Sequence, residues 1–287
     1  MCRQNLPRTY LHGAMLDTAR NLTRRKLPEG LELLYGSVPG TLSQLVRTAL
    51  VPRPGCKFVD ADFSAIEARV VAWLAGEEWV LQVFRTHGKI YEATASQMFG
   101  VPLDRIVKGN PEYALRQKGK VATLALGYQG SSPALINMGA LRSGLKEEEL
   151  PDIVARWRKA NPAIVRLWKS VEQAAIQAVE TGRACTTHGI VFAREADITN
   201  GIDCLTVALP SGRKLFYVNP HLGRNQWNEK QMCFFGMDQK TKKWGERTTY
   251  GGHMTENIVQ AIARDCLAVN IERLENAGFP IVFHIHD

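Results

Sequence analysis

The sequence predicts an α/β fold in which a mostly helical region is followed by a region of short strands. From about residue 88 to about residue 180, apolar side chains recur at helical spacing, with proline and glycine at the joints. After Gly182 the pattern changes to short strand-like pieces around the turn Pro210-Ser211-Gly212. A long amphipathic helix is then predicted from Thr255 to Asn276.

The other elements follow from the same periodicities. Helices are predicted at Ala14–Thr23, Leu42–Leu50, Ser64–Leu74 (closed by Gly76), Ile90–Phe99, Pro111–Leu126, Lys146–Lys159 and Ala163–Thr181. Strands are predicted at Lys57–Phe63, Leu205–Leu209, Lys214–Val218 and Pro280–Ile285, with a loop or hairpin insertion at 221–250.

The charge balance favours a polyanionic partner. The 287 residues include 36 Lys+Arg and 28 Asp+Glu, a formal net charge of +8, which is weak evidence for nucleic acid. The 6 cysteines are scattered without a C-x-x-C pair, and no early apolar stretch resembles a signal peptide, so a reduced cytoplasmic protein is expected. No apolar run is long enough to cross a bilayer, so no membrane association is expected.

Three places in the chain carry groups suited to phosphoryl transfer, which needs carboxylates that hold two metal ions and cations that gather a triphosphate. The first is the segment from Asp62 to Arg69, in which a carboxylate at a predicted strand end precedes a helix. Ser64 and Glu67 also have the spacing of a capping box. The local pattern alone favours this structural role over a functional one.

The second place is the predicted helix that carries Arg116, Lys120, Leu124 and Tyr128. Their spacing of four puts two cations, an apolar side chain and an aromatic ring on one slowly drifting stripe. Such a stripe can bind phosphates at one end and pack against a sugar and a base at the other. The alternative is a basic amphipathic helix with a solvated face, which is the commoner case when nothing else supports a site.

The third place is the end of the sequence, Phe283-His284-Ile285-His286-Asp287, where a carboxylate follows an apolar strand. The H-x-H pair also suggests zinc, but no third ligand with suitable spacing is evident.

The order and content of these three places resemble those of family A DNA polymerases, with most similarity to phage and prophage members. Asp62 to Arg69 resembles motif A, Arg116 to Tyr128 resembles motif B, and His286-Asp287 resembles the start of motif C. The resemblance spans nearly the whole chain. Its supporting segments are Gln4-Asn5-Leu6-Pro7 (similar to the family's Q-N-x-P), Thr94-Ala95 through Met98-Phe99-Gly100, and Gln260.

The resemblance implies a DNA-directed DNA polymerase that adds deoxynucleotides to a primer 3′ end in DNA replication or repair. Asp62, Phe63 and Asp287 would hold two Mg²⁺ ions, for which Mn²⁺ is a possible substitute. Arg116 and Lys120 would meet the triphosphate, and Lys120 is also a candidate acid for the leaving pyrophosphate.

The resemblance also implies contacts with the substrates, which would be primer-template DNA and dNTPs. Glu67 would lie beneath the incoming sugar and exclude a 2′-hydroxyl, and Tyr128 would close the helix against the templating position. The remaining nucleotide-binding residues would be Ser64, Leu124 and His286. The residues expected to contact DNA are Gln4, Asn5 and Gln260.

Some residues depart from the family pattern or leave an alternative open. Leu124 stands where family members usually have Phe or Tyr, which leaves sugar discrimination open, and Gln129 replaces the glycine usual after the motif B tyrosine. Asp60 lies on the same predicted strand face as Asp62 and is an alternative metal ligand.

The implied fold is that of a right-hand polymerase, an antiparallel-sheet palm with an inserted helical fingers subdomain. Residues 1–76 would form the first part of the palm with motif A, residues 77–181 the fingers with motif B, and residues 182–287 the second part of the palm, ending at motif C. No thumb or closing palm strand follows motif C, so a fragment with poor or absent polymerisation is expected. The alternatives are a non-catalytic nucleic-acid-binding remnant and an RNA polymerase or reverse transcriptase of the same palm design. The bulk of Glu67 argues against RNA synthesis.

Overall fold

The computed structural model of the chain describes residues 7–197 and 201–284. These residues form two compact units. The first unit contains residues 7–63 and 281–284, and the second contains residues 64–197 and 201–280. The division into residues 1–76, 77–181 and 182–287 stays a prediction.

The first unit is built on three short helices. They are α1 (Gly13–Arg24), α2 (Pro28–Tyr35) and α3 (Val38–Leu45), and a 3₁₀ turn follows at Val46–Ala49. Leu11, Ala19 and Leu31 form their small core. The first predicted helix is confirmed, whereas the second begins earlier than predicted because the Ser37 hydroxyl accepts the Gly40 N–H and caps it.

Two predicted strands are wrong. Residues 57–63 and the described residues 280–284 do not form strands, and Ile285 lies outside the described residues. Phe58 is 51% exposed and Val59 is 80% exposed. A strand requires a neighbour that takes its N–H and C=O groups, and the strands of the described sheet all lie between Cys185 and Thr249. Alternating bulky residues alone therefore do not make 57–63 a strand.

The second unit contains eight α-helices among the described residues. They are α4 (Ile66–Ala75), α5 (Glu78–Thr86), α6 (Ile90–Phe99), α7 (Leu115–Leu126), α8 (Ser132–Asn137), α9 (Leu150–Ala160), α10 (Pro162–Thr181) and α11 (Gly251–Asn276). The predicted helix at 90–99 is confirmed residue for residue, and Gly76 closes α4 at φ 70° as expected. The first turns predicted for α7 and α9 are instead 3₁₀ turns, Pro111–Ala114 and Glu147–Glu149. Within the described ranges, every helix is too short or too polar to cross a membrane.

The second unit also contains a six-stranded antiparallel sheet. Its strands are β1 (Cys185–Thr187), β2 (Ile190–Asp197), β3 (Ile202–Ala208), β4 (Lys214–Arg224), β5 (Lys230–Met237) and β6 (Trp244–Thr249), and they lie side by side in chain order. The predicted turn joins β3 to β4, where the Leu209 N–H donates to the Arg213 carbonyl at 2.8 Å and Gly212 has φ 84°. The mixed α/β class is confirmed, and 221–250 contains hairpin strands rather than a loop.

Helix α10 lies at the centre of the core of the second unit. Leu167, Val171 and Ala175 are fully buried there, in one cluster with side chains of the sheet, α4, α7 and α11. The buried Glu77 carboxylate accepts the Ala163 N–H at 2.8 Å and the Ile164 N–H at 3.3 Å. A carboxylate accepts the unpaired N–H groups of a helix N-terminus, and its negative charge interacts favourably with the positive end of the helix dipole. Glu77 therefore caps α10 from a distant part of the chain.

Helices α6 and α7 approach each other at a glycine. A Cβ atom added to Gly119 would lie 2.1 Å from the Tyr91 carbonyl oxygen and 3.0 Å from the Ala95 Cβ. Glycine inside a helix costs about 1 kcal/mol relative to alanine. Glycine at position 119 therefore lowers the local stability of the helix but allows α7 to pack closely on α6.

Gly119→Ala should force α7 away from α6 and lower the free energy of unfolding by about 1–3 kcal/mol, as overpacking does. Gly127→Ala is the matched control, since a Cβ at Gly127 meets only the Thr123 carbonyl, at 3.5 Å. Urea unfolding of the two variants and the parent chain measures this. Equal stability of the Gly119 variant and the control would show that the α6–α7 spacing is not fixed by this contact.

Candidate nucleotide site

Two partly exposed cations of α7 lie over one aromatic ring of α6. The Arg116 guanidinium carbon is 5.4 Å from the centroid of the Tyr91 ring, and the Lys120 Nζ is 5.8 Å from it. The Arg116 Nε donates to the Glu92 carboxylate at 2.8 Å. No other described residue accepts a hydrogen bond from Arg116, so its terminal nitrogens can bind a ligand. The two cations expected to meet a triphosphate are thus brought together and oriented by α6.

Three of the other predicted residues share a small cavity in the second unit. Glu67 of α4, Leu124 of α7 and Tyr128 line this space of about 40 Å³, which is closed by side chains of α5, α6, α9 and α10. Leu124 is 40% exposed although it lies on a helix with an apolar core face. An acid, an exposed apolar side chain and an aromatic ring therefore line one small opening.

Tyr128 lies beyond the end of α7, so its predicted place on the helix is wrong. The helix ends at Leu126, and Gly127 begins a turn. Burial raises the pKa of the Tyr128 phenol, and the nearby carboxylates of Glu67 and Glu256 raise it further. The phenol thus keeps its proton at neutral pH and remains a hydrogen-bond donor.

Glu256 is an acid that the sequence analysis did not identify. Burial raises its pKa; the interaction with His253 opposes this change, and the repulsion from Glu67 adds to it. The Tyr128 phenol therefore interacts electrostatically with two carboxylates, one on α4 and one on α11. The opening near Tyr128 is acidic, whereas the other end of α7 is basic.

The turn after α7 is fixed by contacts with α10 and α11. Gln129 has φ 64°, in the left-handed region that favours glycine, and its side-chain oxygen accepts the Gly252 N–H at 2.9 Å. The Trp168 indole N–H donates to the Gly127 carbonyl at 2.9 Å. A Cβ at Gly252 would lie 2.4 Å from the Tyr128 carbonyl oxygen, so glycine is required for this contact. The left-handed backbone is strained at Gln129, as it would not be at a glycine, but the Gln129 side chain caps the N-terminus of α11.

The capping-box interpretation of Ser64 and Glu67 is wrong. The residue that precedes α4 is Ala65, with φ 53°, and no side chain caps the helix. The Ser64 carbonyl instead accepts the Arg69 Nε–H at 2.8 Å. Arg69 also lies over the Phe84 ring at 4.1 Å. The Glu67 carboxylate is therefore not used by the helix end and is available to the cavity.

The predicted metal and DNA ligands are only partly within the described residues. Asp62 is exposed and has no hydrogen bond or ion pair with the described residues of its own unit. Gln260 is exposed on α11. Gln4, Asn5, His286 and Asp287 lie outside the described residues. The roles of these residues stay predictions.

The sequence analysis did not identify Tyr91 and Glu92, because they contact Arg116 and Lys120, which lie about 25 positions further along the chain. One signal was present: a glycine inside a helix pattern, Gly119, indicates that another element packs closely there. Glu256 had no such signal, since a single acid on a long amphipathic helix is ordinary.

Comparison with known proteins identifies the class. The model of DNA polymerase family A matches residues 37–191, more than half of the chain. The chain therefore belongs to DNA polymerase family A.

Individual relatives agree with this assignment. The DNA polymerase of Bacillus phage SP02 is 55% identical over 285 residues, which cover 99% of this chain and 42% of the phage protein. DNA polymerase I of Pseudomonas aeruginosa is 31% identical over 144 residues, 50% of this chain and 14% of that protein. The thermostable DNA polymerase I of Thermus aquaticus is 31% identical over 134 residues, 46% of this chain and 15% of that protein. The chain thus spans less than half the length of these relatives.

Gln129→Ala should remove the cap on α11 and keep the strained φ, so the free energy of unfolding should fall by about 1–2 kcal/mol. Gln129→Gly also removes the cap but relieves the strain, so it should be about 1 kcal/mol more stable than the alanine variant. Urea unfolding of both variants gives this order. An alanine variant as stable as the parent, or a glycine variant less stable than alanine, would contradict the role given to Gln129.

Proposed function

We propose that the protein is a DNA-directed DNA polymerase that adds deoxynucleotides to a primer 3′ end in DNA replication or repair. The observation that carries the proposal is the arrangement along α7 in a family A chain. Arg116 and Lys120 share one ring at one end, while Glu67, Leu124 and Tyr128 share one cavity at the other. A nucleoside triphosphate has this same order of groups, from polyphosphate to sugar and base. Helix α7 and its neighbours, within residues 77–181, act as fingers, and the flanking regions act as palm.

Arg116 and Lys120 bind the triphosphate. They extend from the first half of α7, where the N-terminal end of the helix dipole adds to their attraction for an anion. Glu92 fixes Arg116 through Nε, which presents the remaining guanidinium edge to phosphate oxygens. Lys120 is within reach of the same phosphates and supplies the proton that neutralises the leaving pyrophosphate.

Glu67 and Tyr128 bind the other end of the nucleotide. Glu67 fills the space in which a 2′-hydroxyl would stand, and the neutral Tyr128 phenol and its ring close the site against the templating base. Leu124 provides an apolar surface that is smaller than that of the aromatic residue usual in the family. Ser64 and His286 complete the set of nucleotide contacts.

Asp62, the Phe63 carbonyl and Asp287 are the proposed ligands of two Mg²⁺ ions, with Mn²⁺ as a substitute. Their oxygen donors suit a hard divalent cation, and the exposed Asp62 carboxylate is not engaged by its own unit. Residues 281–284, which precede Asp287, belong to the same compact unit as Asp62, which supports a shared site. When bound, such ions lower the pKa of the attacking 3′-hydroxyl and stabilise the leaving pyrophosphate.

Primer-template DNA is the proposed macromolecular partner. The net charge of +8 favours binding to phosphates, and Gln4, Asn5 and Gln260 are the proposed contacts to the DNA.

Asp62→Asn should lower magnesium-dependent primer extension about 100-fold or more, since the metal supplies several kcal/mol of charge stabilisation and each 1.4 kcal/mol is tenfold in rate. Its affinity for primer-template DNA should be close to that of the parent. Asp60→Asn is the matched control, one exposed carboxylate two residues away, and it should retain activity. The assay uses the complete gene product.

Two results would decide against this assignment. DNA binding without any extension by the parent protein would support the non-catalytic remnant. Loss of extension in the Asp60 variant with activity in the Asp62 variant would move the metal site to Asp60.

A further inference from the structure

Three potential metal ligands meet on one face of the sheet, and none of them belongs to the candidate nucleotide site. They are His221 on β4, Cys233 on β5 and Glu246 on β6. His221 pairs directly with Cys233 in the β4–β5 register, and Glu246 pairs with Phe235, two residues along from Cys233. Since residues two apart on a strand point to the same side, all three side chains share one face. Adjacent strands thus fix the relative positions of the three.

A β-bulge brings His221 into this position. Between Val218 and His221 the β4 strand has one more residue than the opposite stretch of β5, and Asn219 takes up the extra residue at φ 48°. In a regular ladder Pro220 would stand opposite Cys233. Bulges commonly redirect a side chain at a binding site.

The carbonyl of the bulge also orients the imidazole ring. His221 Nδ1 lies 3.1 Å from the Asn219 carbonyl oxygen, and Nε2 lies 2.8 Å from a Glu246 carboxylate oxygen. A backbone carbonyl that takes the Nδ1–H of a histidine is the usual support for metal binding through Nε2. The ring is therefore held with Nε2 directed at the carboxylate and toward the cysteine.

The dimensions and chemistry of the cluster suit zinc. The ligand atoms of His221, Cys233 and Glu246 all lie within 4.8 Å of one another. Zinc–ligand bonds of about 2.0–2.3 Å put tetrahedral ligand atoms about 3.3–3.7 Å apart. The exposed Glu246 side chain can make the adjustment of roughly 1 Å, and water can occupy the fourth position. A thiolate with an imidazole selects a softer ion than the all-oxygen set proposed around Asp62.

We propose that His221, Cys233 and Glu246 form a zinc-binding site that joins β4, β5 and β6. Zinc forms a bond to the Cys233 sulfur, and the thiol proton is released to solvent, so one H⁺ leaves for each Zn–S bond made. Burial raises the pKa of the Cys233 thiol, which therefore keeps its proton until a metal displaces it. The half-exposed His221 and Glu246 leave a path for the ion to enter.

Titration of the reduced chain with Co²⁺, a spectroscopic substitute for Zn²⁺, tests the proposal. One equivalent should produce a sulfur-to-cobalt charge-transfer band, and added Zn²⁺ should abolish it. Cys233→Ser should remove the band. Glu246→Gln changes an exposed side chain and should leave the fold intact, but it removes a charged ligand and should weaken cobalt binding by about 100-fold or more, since even groups that only support a ligand typically account for about 10-fold to 100-fold.

Cys204→Ser is the matched control, because Cys204 is another buried cysteine of the same sheet, on β3. Its band and affinity should equal those of the parent. A band that survives in the Cys233 variant, or unchanged affinity in the Glu246 variant, would overturn the proposal. So would the absence of saturable binding in the parent, which would leave His221 and Glu246 as an ion pair alone.

Discussion

The candidate site depends on the contact between the turn after α7 and the start of α11. Gln129 accepts a hydrogen bond from Gly252, and Trp168 donates to Gly127, so the turn that carries Tyr128 is held by two helices. Glycine at position 252 allows the approach. The energy of this junction offsets the left-handed backbone at Gln129. Together with the packing of the Tyr128 ring against the core of the second unit, this junction holds Tyr128 in the cavity beside Glu67.

Charge is divided along α7 in a way that follows from these contacts. The first half of the helix presents Arg116 and Lys120 over the Tyr91 ring, and its end meets the carboxylates of Glu67 and Glu256. The two halves differ in charge over a few helical turns. A ligand with an anionic polyphosphate and a neutral sugar and base matches this division, whereas a uniformly anionic ligand would be repelled at the acidic end.

Local pattern was sufficient for most helices and for the polymerase motifs, because helical periodicity and motif spacing are properties of neighbouring residues. The predicted helix at 90–99 is confirmed, and so is the turn at 210–212. The strand predicted at 57–63 is wrong, because a strand depends on a partner that the local pattern does not specify. The cluster on β4, β5 and β6 also could not be predicted from the sequence, since a one-residue bulge at Asn219 decides which side chain stands opposite Cys233.

The most direct test of the account is the affinity for a dNTP after removal of one cation from α7. Lys120→Met should weaken dNTP binding about 10-fold to 100-fold, the effect of losing one charge-assisted hydrogen bond. Lys118→Met, which removes a lysine of the same helix that lies 5.8 Å from the Phe99 ring instead, should change the affinity little. Equal losses in the two variants would show that only general charge attracts the nucleotide. No loss in the Lys120 variant would contradict the assignment of α7 as the triphosphate-binding helix.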